Sequence, residues 1–218
     1  MTEREFQINV ERQLNNIIPQ YNIITKFPSD TIFHYLNKAK DEYVDQFFRA
    51  FQRNQEISDN IRTLVKTKSY NSGDFTVRGN KWFTEYPKDY VHAVGESTYI
   101  GIKDNNCANL IVKESDIIEA TIETVNAQLN NSLSDHRLRY NQAKPIRVYT
   151  DNGIALYTDD KYIISNYDLT YLRKAKDFKY ADLTKEYTDL PQNTHQAIVD
   201  LAVQMLLQQL PETNPKET

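Results

Sequence analysis

Apolar residues at the start of the chain recur at the 3.6-residue period of an amphipathic helix. The first helix is predicted to begin at Thr2, because a threonine followed three residues later by Glu5 can form a capping box. We expect it to end at Pro19, since proline cannot continue the hydrogen bonds of a helix. Its buried stripe is narrow and consists of Phe6, Val10, Leu14 and Ile17.

A longer helix with the same period follows. It is predicted to start with Ser29 or Asp30 as its N-cap and to continue through about six turns. Its inward positions are Ile32, Tyr35, Leu36, Ala39, Tyr43, Phe47, Ala50 and Phe51. A third helix is predicted from Ser58 or Asp59 to about Lys68, which would make the N-terminal third a unit of three helices.

The most apolar stretch of the chain runs from Pro191 to Leu210 and carries one formal charge, Asp200. At 100° per residue, its apolar side chains cover more than half of the helix circumference, whereas one buried neighbour needs a much narrower stripe. We therefore predict a long, apolar C-terminal helix that is packed on two sides. Its own core is expected to contact Ile198, Leu201, Ala202 and Met205, and another element or subunit is expected to contact Val203, Leu207 and Leu210.

Alternating apolar residues predict short β-strands between residues 71 and about 180. One strand is predicted at Phe75–Val77, followed by an aromatic-lined connection that contains Trp82. Tyr99–Ile102 and Asn109–Val112 are predicted to pair as a hairpin. The segment from Ile117 to Leu133 fits both periods, and we favour a strand that passes into a short helix near Val125.

The strand pattern is clearest between Pro145 and Ile164. Three strands are predicted there as an antiparallel meander, and its first turn is Asn152-Gly153, because both residues tolerate positive φ. The segment from Asn166 to Arg173 continues as a fourth extended piece. Its residues on one face are Tyr167, Leu169 and Tyr171.

These elements predict an α+β fold with about three N-terminal helices, an antiparallel β meander in the middle and C-terminal half, and a long apolar C-terminal helix. We interpret the chain as one composite domain. Its parts are a helical unit at 1–70, a β-rich region with short helices at 71–190, a C-terminal helix at 191–210 that packs on the helical unit, and a disordered tail at 211–218.

Composition and charge narrow the function classes. The chain has 218 residues and a net charge of −4, which gives no support to nucleic-acid binding apart from a local basic cluster from Arg137 to Arg147. Fifteen tyrosines stand against nine phenylalanines and one tryptophan, a usage that fits half-exposed surfaces and interfaces or a coding bias. The acidic start Met1–Glu5 does not resemble a signal peptide, and no window is long enough to span a membrane. We expect assembly in a cytoplasm.

Candidate catalytic chemistry is sparse. The four histidines, His34, His92, His136 and His195, lack a zinc-type spacing. Asp104 and the pair Asp159-Asp160 are interpreted as turn residues rather than calcium ligands. Cys107 is the single cysteine and has no base nearby in the sequence. We predict no enzymatic activity, no catalytic, cofactor-binding or metal-binding residues, and no cofactor.

Several segments resemble structural proteins of tailed phages that infect Bacteroidetes, most closely the ring or head-to-tail adaptor proteins of crAss-like phages. The resemblance is carried by Phe27–Tyr43, Ala143–Tyr149, Tyr162–Lys174 and Thr188–Met205. These segments lie toward both ends of the chain and follow the same order as in that group. One departure is Ala175, where the group tends to have proline, and this puts the local loop shape in doubt.

The resemblance implies a virion structural protein at the head-tail junction. Such proteins form closed, typically dodecameric rings below the portal, contact the portal and adjacent ring or tail proteins, and let double-stranded DNA pass without specific binding. They are not enzymes and do not enter a membrane. The alternatives are a phage binding module outside the virion and, less favoured, a hydrolase with dispersed catalytic residues.

Overall fold

The computed structural model describes residues 1–19, 26–50, 59–103, 110–180 and 184–210, and over these residues the fold is α+β. The helices are α1 (Glu3–Ile17), α2 (Ser29–Ala50), α3 (Val125–Asn130) and α4 (His195–Leu207). The strands are β1 (Val65–Asn71), β2 (Thr76–Arg78), β3 (Lys81–Glu85), β4 (Tyr90–Lys103), β5 (Leu110–Ser115), β6 (Ile118–Ala120), β7 (Ile146–Tyr149), β8 (Gly153–Tyr157) and β9 (Tyr162–Arg173). Cys107, Asp104 and the tail at 211–218 lie outside the described residues.

The chain divides into two compact units. The first, here called the helical unit, combines Met1–Leu64 with Ala175–Thr218. The second, here called the sheet unit, is Val65–Lys174 and contains every strand. The helical unit is therefore built from two segments that are far apart in the sequence.

The predicted first helix is confirmed with its cap. The Thr2 hydroxyl accepts a hydrogen bond from the Glu5 amide at 3.2 Å, and the Glu5 carboxylate accepts one from the Thr2 amide at 2.9 Å. Phe6, Val10 and Leu14 are fully buried. Ile17, predicted inward, is 53% exposed, so the buried stripe is one turn shorter than its spacing suggested.

The predicted C-terminal helix is wrong in length and in character. Pro191 opens a 3₁₀ turn over Gln192–Thr194, and the α-helix α4 has 13 residues. It is not apolar all round, because Gln196, Asp200 and Gln204 are exposed along one side. Asp200 accepts hydrogen bonds from Gln13 of α1 and from Gln196, each at 2.8 Å.

The two sides of α4 are both covered within the chain. One side packs against α1 and the other against α2, all three in the helical unit. Val203, which we predicted to face another element or subunit, is buried in this core, whereas Leu201, predicted to face the chain's own core, is only half-buried. The broad apolar arc is therefore explained by two helices of the same chain, and it does not require a second subunit.

The unit of three N-terminal helices is also a correction. Two helices, α1 and α2, are present as predicted, and α2 starts at Ser29. Among the described residues, the third is a helical turn over 59–64, and the chain is already a strand from Val65. This one turn is enough to bury Ile61 and Leu64, the apolar residues that suggested a longer helix, since both side chains are fully buried.

The sheet unit contains two sheets instead of the predicted meander. One sheet has the order β1-β9-β4-β5 and is antiparallel throughout; the other has the order β2-β3-β8-β7-β6, in which β6 and β7 are parallel. The hairpin of β7 and β8 forms as predicted, but β8 then pairs with β3 and β9 joins the other sheet. Local alternation carries no information about which distant strand supplies the partner.

A hydrophobic core lies in the sheet unit and takes residues from both sheets. The antiparallel sheet contributes alternate residues of β9, including Tyr167, Leu169 and Tyr171, which share one face as predicted. The mixed sheet contributes Trp82 and Leu156. Trp82 therefore belongs to strand β3, and its assignment to a connection was wrong. The predicted strand and short helix between 117 and 133 correspond to β6 and α3, and the predicted hairpin corresponds to β4 and β5.

Candidate subunit interface

The main charged cluster of the sheet unit joins its two sheets, and its central pair, Arg147 and Glu96, is largely buried. Arg147 of β7 donates to Glu96 of β4 through Nη2 at 2.7 Å and through Nε at 3.0 Å, and its Nη2 also reaches Glu119 at 2.9 Å. The Tyr167 hydroxyl donates to Glu96 at 2.8 Å. The Arg147 guanidinium also lies 3.9 Å from the centre of the Tyr149 ring. Every strong contact in this cluster is made to another member of it.

The protonation states in this cluster follow from burial and pairing. Burial alone would lower the pKa of Arg147, but the hydrogen bond and charge of Glu96 outweigh it, so the pKa is raised. Burial, and then the charge of Glu96, raise the pKa of Tyr167. Arg147 therefore stays charged and Tyr167 stays protonated at any ordinary pH. The cluster is a structural ion pair with a hydrogen-bonded phenol, and not a poised acid–base pair.

The basic cluster from Arg137 to Arg147 is used internally. Arg137 donates to the carbonyl oxygens of Leu129 and Asn131 at 3.1 and 3.4 Å, and Arg139 donates to the carbonyl oxygen of Ser132. Lys144 pairs with Asp116 at 2.8 Å. These cations hold the loop before β7 in place, while Arg139 remains exposed at its tip.

The structure does not bring the sequence candidates together. Within the described ranges, no group of three or more His, Cys, Asp or Glu side chains could hold a metal ion. His34 is exposed, whereas His136 and His195 are buried. Asp159 accepts hydrogen bonds from the amides of Leu138 at 2.6 Å and Lys161 at 3.0 Å, which is the turn role that we assigned to it.

The two buried histidines make stability depend on pH. Burial lowers the pKa of His136 and of His195; the charge of Arg137 adds to the effect at the first, and the amino terminus adds to it at the second. Just below the ordinary histidine pKa of about 6.5, the unfolded chain binds more protons than the folded chain. Stability is therefore complete above about pH 6.5 and falls on acidification, by up to about 1.4 kcal/mol per pH unit for each histidine.

We expect thermal unfolding to occur at a lower temperature at about pH 5 than at about pH 7.5. Replacing both residues, His136→Gln and His195→Gln, should flatten this dependence, because neither glutamine titrates. His34→Gln, at an exposed position, is the matched control and should leave the dependence unchanged. Equal pH dependence in the double variant and the wild-type protein would contradict this assignment.

Among the described residues, strand β5 is the sheet edge with the most exposed aliphatic surface. It is the last strand of its sheet, and Leu110, Ile111 and Val112 are 41%, 37% and 52% exposed. Since neighbouring residues of a strand point to opposite faces, aliphatic groups meet solvent on both sides of this edge. The sequence predicted the strand correctly, but not that it would lie at an edge.

A tight turn beside the end of β5 presents Tyr140. Arg139 and Gln142 exchange two backbone hydrogen bonds of 2.9 Å, and Tyr140 and Asn141 adopt φ values of 50° and 59°. The Tyr140 side chain is 99% exposed. Asn141 and Gln142 line a cavity together with Lys113–Asp116, so this turn and β5 belong to one surface. The sequence reasoning missed Tyr140, although a turn-favouring asparagine follows it.

An open groove of about 510 Å³ lies between β7 and the segment 119–124, which joins β6 to α3. Its apolar lining comes from Ala120, Ile122 and Tyr149, and Ile122 is 64% exposed. Glu119 and Glu123 are its acidic residues. The edge, the turn and this groove are the exposed features of the sheet unit that could contact another protein.

Comparison with known proteins does not identify the chain: no protein-family model and no curated protein matches it. Among the described residues, no helix combines the length and the apolar character that crossing a bilayer requires. Functional inference therefore rests on the residues themselves and on the exposed surface of the sheet unit.

Proposed function

We propose that this chain is a virion structural protein of a tailed phage, the subunit of a ring-shaped head-to-tail adaptor below the portal. The single observation that supports this best is the exposed aliphatic edge at Leu110, Ile111 and Val112. An edge strand carries backbone donors and acceptors that can pair with another chain, and proteins that remain monomeric usually protect such edges. A subunit that is covered in an assembly has no need of that protection.

The other sheet edges are better protected. Strand β1, at the opposite side of the same sheet, exposes Lys66 and Lys68, and edge lysines discourage strand pairing. Strand β5 also has an exposed lysine, Lys113, but it differs from β1 in its run of three exposed aliphatic residues. The edge strands of the mixed sheet, β2 and β6, have three residues each. The difference between β5 and these edges supports a contact that is specific to one side of the subunit, as a ring requires.

Four segments resemble ring and adaptor proteins of crAss-like phages, and for this reason we propose a head-to-tail adaptor ring and not another kind of assembly. A net charge of −4 is compatible with a channel through which DNA slides, because an acidic surface is repelled by phosphates. In this proposal, the protein is assembled in the cytoplasm of the infected bacterium, contacts the portal and neighbouring tail proteins, and performs no catalysis.

Native mass spectrometry and negative-stain microscopy of the purified protein, alone and mixed with the portal, test the proposal. We expect closed rings, either from the protein alone or once the portal is present. A chain that stays monomeric at high concentration in both samples is not an adaptor. Detection of the protein in infected cells but not in purified particles would favour the alternative of a binding module outside the virion.

The variant Val112→Lys is expected to weaken assembly and to leave the fold intact. The side chain is 52% exposed in the subunit, so lysine is tolerated there, whereas its burial in a contact would raise the assembly concentration about tenfold or more. Val77→Lys, at a valine that is 47% exposed on β2, is the control and should assemble normally. Normal rings from Val112→Lys would remove β5 from the contact.

A further inference from the structure

We propose that neighbouring copies of the chain join through Tyr140, which inserts into the groove that Ala120, Ile122 and Tyr149 line on the next copy. This inference rests on the proposed ring and names a contact within it. It describes a head-to-tail contact in which one copy supplies a projecting side chain and the next supplies a cavity. Arg139 beside the tyrosine and Glu123 beside the cavity add charge complementarity.

The projecting side chain is Tyr140. A bulky residue with φ of 50° lies in the left-handed region, where glycine or asparagine would be less strained. The tyrosine is 99% exposed, so burial of its ring within the subunit does not compensate for that conformation. Strained, exposed residues are found at contact sites, and tyrosine is enriched among the residues that contribute most to binding.

The receiving cavity is on the same unit and has a suitable size and lining. Its volume of about 510 Å³ is ample for a phenol ring. Ile122 is 64% exposed at its surface, so its side chain is available to a partner. A ring placed between Ala120, Ile122 and Tyr149 would bury apolar area on both sides of the contact.

The charges of the two surfaces are opposite. Residues 135–144 around the turn contain three basic residues, Arg137, Arg139 and Lys144, against one acid, Asp135. The groove contains Glu119 and Glu123, and its cation, Arg147, pairs with both Glu96 and Glu119, so that the proposed complementarity rests on Glu123. A hydrogen bond from the Thr121 side chain lowers the pKa of Glu123, so that this carboxylate is charged at neutral pH. Complementary potentials favour this orientation of two copies over a symmetric one.

The positions of the two surfaces make the contact intermolecular. The turn precedes β7 and the groove lies at the end of β7, whose four residues span about 13 Å. Tyr140 is 99% exposed and therefore does not occupy the groove of its own chain, so that a tyrosine in this groove has to come from another copy. Two different surfaces that meet in this way form a heterologous contact, which generates closed rings when the rotation between copies closes.

Cysteine cross-linking tests the contact in the full-length protein. The variant carries Cys107→Ser to remove the native thiol, with Gln142→Cys beside Tyr140 and Ala120→Cys in the groove, so that Tyr140 and Ile122 are kept, and is treated with a short bis-maleimide under conditions where rings form. We expect a ladder of covalent dimers, trimers and higher oligomers on a denaturing gel. The control, Cys107→Ser with Gln142→Cys and Val77→Cys, should give no ladder. Rings that are visible by microscopy but give no ladder would overturn the contact and leave the proposed function standing.

Charge reversal provides a second readout that does not depend on cross-linking. Arg139→Glu and Glu123→Arg should each raise the concentration needed for assembly at least about tenfold, and the double variant should largely restore it. Full assembly of both single variants would overturn the contact. If the wild-type protein forms no ring, alone or with the portal, the contact and the proposed function both fail.

Discussion

Replacing Lys40 by methionine is expected to lower the free energy of unfolding by about 3 kcal/mol. Lys40 of α2 is completely buried, and its Nζ donates to the carbonyl oxygens of Ala175 and Lys176 at 3.2 and 3.3 Å and to the Asp177 carboxylate at 2.5 Å. Methionine keeps the length of the side chain but removes the ammonium group. The two carbonyl oxygens then lose this donor, and Asp177 loses its ion pair with Lys40.

This change should act locally on the segment that follows β9. Asn37, one turn before Lys40, accepts from the Phe178 amide at 2.8 Å and donates to the Phe178 carbonyl oxygen at 3.1 Å, so that α2 holds residues 175–178 at two points. We expect the methionine variant to unfold at lower urea concentration by far-ultraviolet circular dichroism and to exchange the amide of residue 178 faster.

Lys38→Met is the matched control for Lys40. Lys38 is exposed on the same helix, and its Nζ lies 6.0 Å from the centre of the Tyr35 ring. Its replacement should change stability by less than about 0.5 kcal/mol. If the two methionine variants unfold at the same urea concentration, the buried ammonium does not hold this segment.

The second large effect is expected for Arg147→Met in the sheet unit, a loss of about 3 kcal/mol or more. The change leaves the Glu96 carboxylate, whose side chain is 13% exposed, with Tyr167 as its remaining partner in the cluster. Trp82 lies in the core of the same unit and reports unfolding by fluorescence. Glu119 is less affected, since its side chain is 78% exposed.

Adding Glu96→Gln to Arg147→Met distinguishes two causes of the loss in stability, the missing ion pair and the cost of an unpaired buried carboxylate. Glutamine is neutral and can still accept the Tyr167 hydroxyl, so the double variant should recover at least about 1 kcal/mol relative to Arg147→Met. Lys144→Met removes an exposed pair with Asp116 and should unfold at nearly the same denaturant concentration as the wild-type protein, because exposed ion pairs contribute little to stability. A double variant less stable than Arg147→Met would contradict the interpretation that an unpaired buried carboxylate causes the loss.

The sequence did not predict which residues of the proposed contact are exposed. The sequence indicated a strand through Leu110–Val112 and a basic cluster that begins at Arg137, but neither pattern distinguishes an edge strand from a central one or a projecting turn from a packed one. Exposure depends on which distant segment covers a residue. The Tyr140 turn and the Ile122 groove became recognisable only when both were found uncovered on one unit.

Local physical chemistry determined much of the secondary structure from the sequence alone. The capping box at Thr2, the period of α2, the hairpin of β7 and β8 and the alternation of Tyr167, Leu169 and Tyr171 are all short-range signals, and the structure confirms each of them. The turn of that hairpin is shifted by one residue from the predicted Asn152-Gly153, because Gly153 already belongs to β8. They succeed because hydrogen bonds and side-chain directions within an element depend on residues a few positions apart.

Tertiary structure alone decided how these elements are covered. The arc of α4 suggested a second subunit, yet α1 and α2 of the same chain fill it. The strands after Pro145 suggested a meander, yet β9 leaves β8 and pairs between β1 and β4. The local sequence pattern indicates which side chains are buried. It does not indicate which element covers them, because that element is distant in the sequence and its position depends on how the whole core packs.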